Sequence, residues 1–188
     1  MKHPTHDVLQ GSSVISIVLV GPPASGKSTL RSLFSDYDVV GCDLESFHNS
    51  GSIDGGWKQH IVSTLSEAKE SNRNVACIEG AISDEEVGFI EKKSSHTIVI
   101  NVDVPDDDER ITRHVERELD NQNLDVVADE TIAEIETDSF RRHHHEMPYP
   151  DHDVSISNTD STSTKELSQR CGRLVAALDR DRDLSIPK

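Results

Sequence analysis

Little of this chain is aromatic and little of it is lysine. Phe, Trp and Tyr make up 4% of the 188 residues, and 8 of the 19 basic side chains are lysine. The basic residues are outnumbered by 35 acidic ones, giving a formal net charge of -16. Such a surface repels phosphate backbones, which argues against a nucleic-acid-coating role. The acidity is spread along the chain rather than gathered in a tail. That favours adaptation to high salt, where screening weakens self-repulsion, over an ordinary acidic cytosolic protein.

Cysteine is sparse too. Cys42, Cys77 and Cys171 are odd in number and far apart, with no C-x-x-C pair. Neither a zinc site nor a disulfide framework is expected, and a reduced cytoplasmic compartment fits best. No apolar run approaches the roughly 20 residues of a membrane helix, and no charged-then-apolar leader opens the chain. No membrane partner is therefore expected. Residues 1–12 are polar and read as a flexible lead-in, 13–180 as one domain, and 181–188 as a loose charged tail.

What the chain does have is Gly21-Pro22-Pro23-Ala24-Ser25-Gly26-Lys27-Ser28-Thr29. It reads G-x-x-x-x-G-K-S, the phosphate-binding loop pattern. Before it runs Val14 to Val20, rich in β-branched residues and short enough for a buried parallel strand. After it, Leu30 to Phe34 continues as a helix. Gly21 and Gly26 permit backbone angles that a side chain would forbid, so the loop can turn its N–H groups around a polyanion. The helix that follows adds the positive end of its dipole. Lys27 would reach the β- and γ-phosphates, and the Ser28 hydroxyl would bind Mg²⁺.

Further strands are expected over 37–43, 75–80, 97–102 and 154–157. Trp57, Ile61, Val62, Leu65 and Ala68 recur at helical spacing. Ser83-Asp84-Glu85-Glu86 and Ser163-Thr164-Lys165-Glu166 look like capping boxes that start two further helices. Pro105 and four successive acids suit another helix start, with Ile111, Val115 and Leu119 on one side and Arg110, Arg113 and Arg117 roughly opposite. Residues 124–142 read as a weaker acidic helical segment. Strands alternating with helices predict an α/β fold, with a parallel sheet covered on both faces.

In such sheets ligands lie beyond the carboxyl ends of the strands. Three strands end there in useful groups: the glycine loop, Asp43 and Glu79. Asp43 could accept an acceptor's proton or orient its hydroxyl, against a solvated loop carboxylate. Glu79 could hold Mg²⁺ through water or assist Asp43, against capping a neighbouring helix. Arg110 and Arg113 could close over transferring phosphates. Asp106 and Glu109 lie four residues before them, so ordinary helix-face pairs are the alternative. Arg141 and Arg142 are candidates for an anionic acceptor, and His48 for the acceptor pocket. His143-His144-His145 cannot all face one ion from a helix and read as a solvated stretch. Trp57 reads as core rather than as a stacking platform.

The glycine loop, Asp43, the run Ile78-Glu79-Gly80-Ala81-Ile82, and Val102-Asp103-Val104-Pro105 followed by Arg110 and Arg113 resemble the P-loop small-molecule kinases. That superfamily includes uridine kinase, dephospho-coenzyme A kinase and the nucleoside monophosphate kinases. The resemblance implies a three-layer sandwich with a five-stranded parallel sheet and a small helical lid over about 106–147. It implies ATP and Mg²⁺, with Gly21, Ala24, Ser25, Gly26, Lys27, Ser28 and Thr29 on the nucleotide and Ser28 and Glu79 at the metal. Lys27, Asp43, Arg110 and Arg113 would be the catalytic group. Ser157-Asn158-Thr159 looks like the loop that contacts adenine in several of these kinases, which adds Asn158. Residues 46–56 have some likeness to the acceptor loops of gluconate and shikimate kinases. The expected activity is γ-phosphoryl transfer to a small molecule, first a nucleoside or nucleotide, then dephospho-coenzyme A or a sugar or hydroxy acid. An ATP-binding switch or ATPase is the rival from another class.

Overall fold

The computed structural model describes residues 13–22, 24–44, 56–80, 83–105, 107–122, 150–159 and 162–184. The acceptor-loop residues 46–55 (His48 among them), the segment 123–149 with Arg141, Arg142 and the histidine run, and residues 1–12 lie outside them. Five strands are described: β1 (Ile15–Val20), β2 (Val40–Asp43), β3 (Val75–Glu79), β4 (His96–Asp103) and β5 (Val154–Ser157). They form one parallel sheet in the order β2-β3-β1-β4-β5. The helices are α1 (Lys27–Ser35), α2 (Gly56–Glu70), α3 (Asp84–Lys93), α4 (Asp107–Gln122) and α5 (Thr164–Leu184).

Strand alternation sorts the core into two layers, because neighbouring side chains point to opposite faces. Val14, Val18, Val20, Cys42, Ala76, Ile78 and Val99 face one way and pack with Ile61 and Leu65 of α2 and Ile90 of α3. Ile15, Ile17, Leu19, Val75, Cys77, Ile100 and Val102 face the other way and pack with Leu30 and Phe34 of α1 and with Cys171 and Val175 of α5. β1, at the centre, is buried along its whole length. Phe34 is fully buried under this second layer. Phe34→Ala is expected to destabilise the fold by about 3–5 kcal/mol through lost burial and a residual cavity, measured by denaturant unfolding.

The ends of the elements follow local chemistry. β2 begins three residues later than the sequence pattern suggests, because residues 36–38 turn and Asp38 takes a left-handed φ of 59°. The Ser83–Glu86 capping box forms in full. At the start of α5, Ser163 accepts from the Glu166 N–H at 3.2 Å, while the Glu166 carboxylate pairs with Arg170 instead of reaching back. Helical backbone continues past residue 181, where the sequence places the start of a loose tail. α5 runs on to Leu184, with Asp179 paired to Arg73. Trp57 packs against the first core layer and meets Phe89 edge-to-face at 5.4 Å.

All three thiols are free and buried. Burial pushes the Cys77 thiol well up and the Cys171 thiol up to about 11. Thiolate, not thiol, is the nucleophile, so alkylation of the native protein at neutral pH is expected to be slow. Mass spectrometry should find the three sites modified only after denaturation. Among the described residues no helix is long and apolar enough to cross a membrane.

Candidate active site

β1 delivers the chain to the carboxyl edge of the sheet, and the loop that follows has little room to be anything else. Gly21 has a φ of 134°, and a Cβ there would stand 2.2 Å from the Val102 carbonyl oxygen on β4. Gly26 has a φ of 97°, and a Cβ there would stand 2.0 Å from Asn158 Nδ2. Ala24 also takes a left-handed φ, of 59°. Both glycines are therefore demanded twice, by angle and by close approach. Gly26→Ala is expected to cost about 1–3 kcal/mol in backbone strain alone and to weaken nucleotide binding as the loop shifts. Thermal unfolding and a nucleotide titration check the two effects separately.

Gly26 is also the N-cap of α1, so no side chain caps this helix. No acid lies in its first turn, in contrast to α3 with its three acids and full capping box. The N-terminus of α1 thus keeps its donors and its positive dipole for an anion. Ser25 Oγ is buried without a hydrogen-bond partner, a further donor set into the loop. Lys27 is 7% exposed, and its Nζ donates to the Gly21 and Pro22 carbonyls at 2.9 Å each. These features fit a polyphosphate: uncapped helix donors, an orphaned buried hydroxyl and one buried cation. Ala24, Gly26, Lys27, Ser28, Thr29, Arg113 and Asn158 line a cleft of about 300 Å³.

Glu79 ends β3 on the α1 side of the sheet. It is 1% exposed. Ser28 Oγ donates to its Oε1 at 2.8 Å, and Arg31 Nε donates to its Oε2 at 2.9 Å. Burial raises its pKa; the Ser28 hydrogen bond and the Arg31 charge hold it back, and Asp43 adds to the rise. Asp43 ends β2 directly in register with Glu79. Two carboxylates and the Ser28 hydroxyl thus stand together beside the cleft. Hard oxygen donors of this kind suit Mg²⁺, which binds few protein groups and keeps waters and phosphate oxygens.

The arginines of α4 divide. Arg110 is 2% exposed, while Ile111 and Val115 are half-buried. α4 therefore turns Arg110 inward. Arg113 lines the cleft, pairs with Glu109 as the i, i+4 spacing allows, and donates to the Asn158 carbonyl at 3.1 Å. Asn158 in turn donates from Nδ2 to the Ser25 carbonyl at 2.8 Å. One N–H of the Asn158 amide is thus tied to the phosphate loop. Arg31 was missed by motif reading. Its signal was its position three residues after Ser28, which places both side chains on one side of α1.

No protein-family model and no curated protein matches the chain. Solved structures do. A sugar kinase from Janibacter sp. HTCC2649 aligns with a TM-score of 0.55 at 13% identity, over 90% of this chain and 98% of that one. The fold is that of the P-loop small-molecule kinases. A shikimate kinase from Bacteroides thetaiotaomicron aligns with a TM-score of 0.51 at 17% identity, covering 88% of this chain and 98% of that one. The APS kinase of Mycobacterium tuberculosis, solved with AMPPNP and APS, gives 0.51 at 13% identity over 87% and 98%. At these identities the likeness is one of fold.

Proposed function

We propose that this P-loop kinase fold carries an ATP-dependent transfer of a phosphoryl group to a hydroxyl of a small molecule. The observation that supports it most is the meeting of Ser28, Glu79 and Asp43 at one end of the sheet, beside the cleft that Lys27 and the N-terminus of α1 line. A passive nucleotide binder needs the loop and the helix; it does not need two carboxylates in register beside them. The loop N–H groups and Lys27 would bind and orient the β- and γ-phosphates of ATP. Arg113, which also lines the cleft, would neutralise charge on the transferring group. Asp43 would orient the acceptor hydroxyl and take its proton. Most of the acceleration in such a site comes from positioning and charge stabilisation. Ser28 and Glu79 would hold Mg²⁺, which when bound screens phosphate charge.

Nucleosides and nucleotides are the first acceptors to test, followed by dephospho-coenzyme A, sugars and hydroxy acids. The fold neighbours named as sugar, shikimate and APS kinases bear on the sugar, hydroxy-acid and nucleotide classes. The experiment is Mg-ATP turnover in molar salt with each acceptor pool, using Lys27→Ala as the blank. ADP formed only when one pool is present supports the reading and names the class. ADP formed equally without any acceptor, and lost in Lys27→Ala, would overturn it in favour of an ATPase or nucleotide switch.

A further inference from the structure

The geometry points to Arg31 as a positioning residue of this site, one that acts through Glu79 on Ser28. The inference rests on the proposed use of Ser28 and Glu79 at Mg²⁺, and it concerns a residue that the phosphate-loop pattern does not contain.

Three observations carry it. Arg31 and Ser28 lie one turn apart on α1, and each gives a donor to a different oxygen of the same carboxylate, at 2.9 and 2.8 Å. A carboxylate held on both oxygens has one orientation. Glu79 Oε1 then accepts the Ser28 proton, which leaves the lone pairs of Ser28 Oγ to turn away from Glu79. The second observation is burial. At 1% exposed, Glu79 has little water to replace a lost partner, so an anion there depends on its paired donors.

The third is Gly41. It sits in the middle of β2, where glycine weakens a strand. Gly41 is not among the residues with positive φ, so its conformation does not require glycine. A Cβ at this position would stand 3.0 Å from Cγ of Arg31 and 3.2 Å from Cδ. The missing side chain makes the track along which the Arg31 stem crosses the sheet to reach Glu79. Arg31 is itself only partly exposed, so this is a seated side chain rather than a surface pair found by chance.

A group that orients a metal ligand from behind changes metal affinity while leaving the ligand in place. The test measures binding of a fluorescent ADP analogue to the full chain, with and without Mg²⁺. Arg31→Gln is expected to raise the Mg²⁺ concentration for half-maximal stabilisation of the complex by about 10–100-fold. Metal-free affinity for the analogue should stay within about twofold, because the loop, Lys27 and the α1 N-terminus are untouched. Gly41→Ala should move the Mg²⁺ requirement the same way by a smaller factor, since it displaces Arg31 without deleting a polar group. In a Glu79→Gln background, Arg31→Gln should add nothing further.

A Mg²⁺ requirement unchanged in Arg31→Gln would overturn the inference. If Arg31→Gln does not fold, an unchanged requirement in Gly41→Ala overturns it instead. Equal loss of metal-free and Mg²⁺-dependent binding would also overturn it, since that marks a residue that merely supports the fold. The readout separates this inference from the kinase reading. A native chain that binds Mg-ADP but transfers to no acceptor defeats only the latter. A native chain that binds no nucleotide defeats both.

Discussion

Lys27→Ala is expected to lower kcat/KM for Mg-ATP by about 10²–10³-fold, the range found when one preorganised donor to a developing charge is removed. The reason lies in where this lysine stands. It is buried, and its Nζ is directed at the carbonyls of Gly21 and Pro22, within the loop that a polyphosphate would enter. An ammonium in a poorly hydrated site interacts more strongly with phosphate than one in water. The substitution also removes two hydrogen bonds that tie the loop together, so some loss of thermal stability is expected as well. The two consequences separate experimentally. Calorimetric titration with ADP reads the loss of the phosphate contact, and thermal unfolding without nucleotide reads the loss of the tether. A variant that melts lower but binds nucleotide as the native chain does would make Lys27 a structural tether and remove the main support for phosphate binding.

Asp43→Asn should have the second large effect, and a different one. Transfer is expected to fall by about 10²–10⁴-fold, as for a positioned general base, while nucleotide affinity stays within about twofold. Asn has nearly the same shape as Asp, so the β2 end keeps its packing. What goes is the capacity to accept a proton, together with the negative charge beside Glu79. Asp43 contributes to the raised pKa of Glu79, so removing its charge should bring the Glu79 pKa down. Single-turnover measurement with saturating ATP and the acceptor identified by the pool assay would isolate the transfer step. An unchanged rate would take Asp43 out of the chemistry. Loss of nucleotide binding in step with transfer would assign it to the fold of the loop instead.

The parts of this site that could be read in advance are those whose cause is local. The glycine loop is a run of neighbouring residues, and its angles are dictated by Gly21 and Gly26 themselves. The strand pattern of β1 and the box at Ser83–Glu86 are likewise properties of a few adjacent side chains. The extent of β2 was less legible, because residues 36–38 spend their backbone on a turn that the apolar pattern does not reveal. Asn158 stood in a run suggestive of adenine contact. In the fold its side-chain amide goes to Ser25, and only the return of β5 beside β4 brings the two within 2.8 Å.

By itself, then, the sequence determined the alternation of strands and helices, the phosphate loop and the placing of acids at two strand ends. Periodicity and glycine chemistry act over a few residues, and all of these lie within that reach. Only the tertiary structure decided what those acids touch. Strand order set β3 between β1 and β2, which put Asp43 in register with Glu79. The face on which α1 lies then brought Ser28 and Arg31 down onto a carboxylate some fifty positions away. The physical reason is that a buried charge must find its partners in space, and space is assigned by the packing of the two core layers rather than by the residues alongside in the chain.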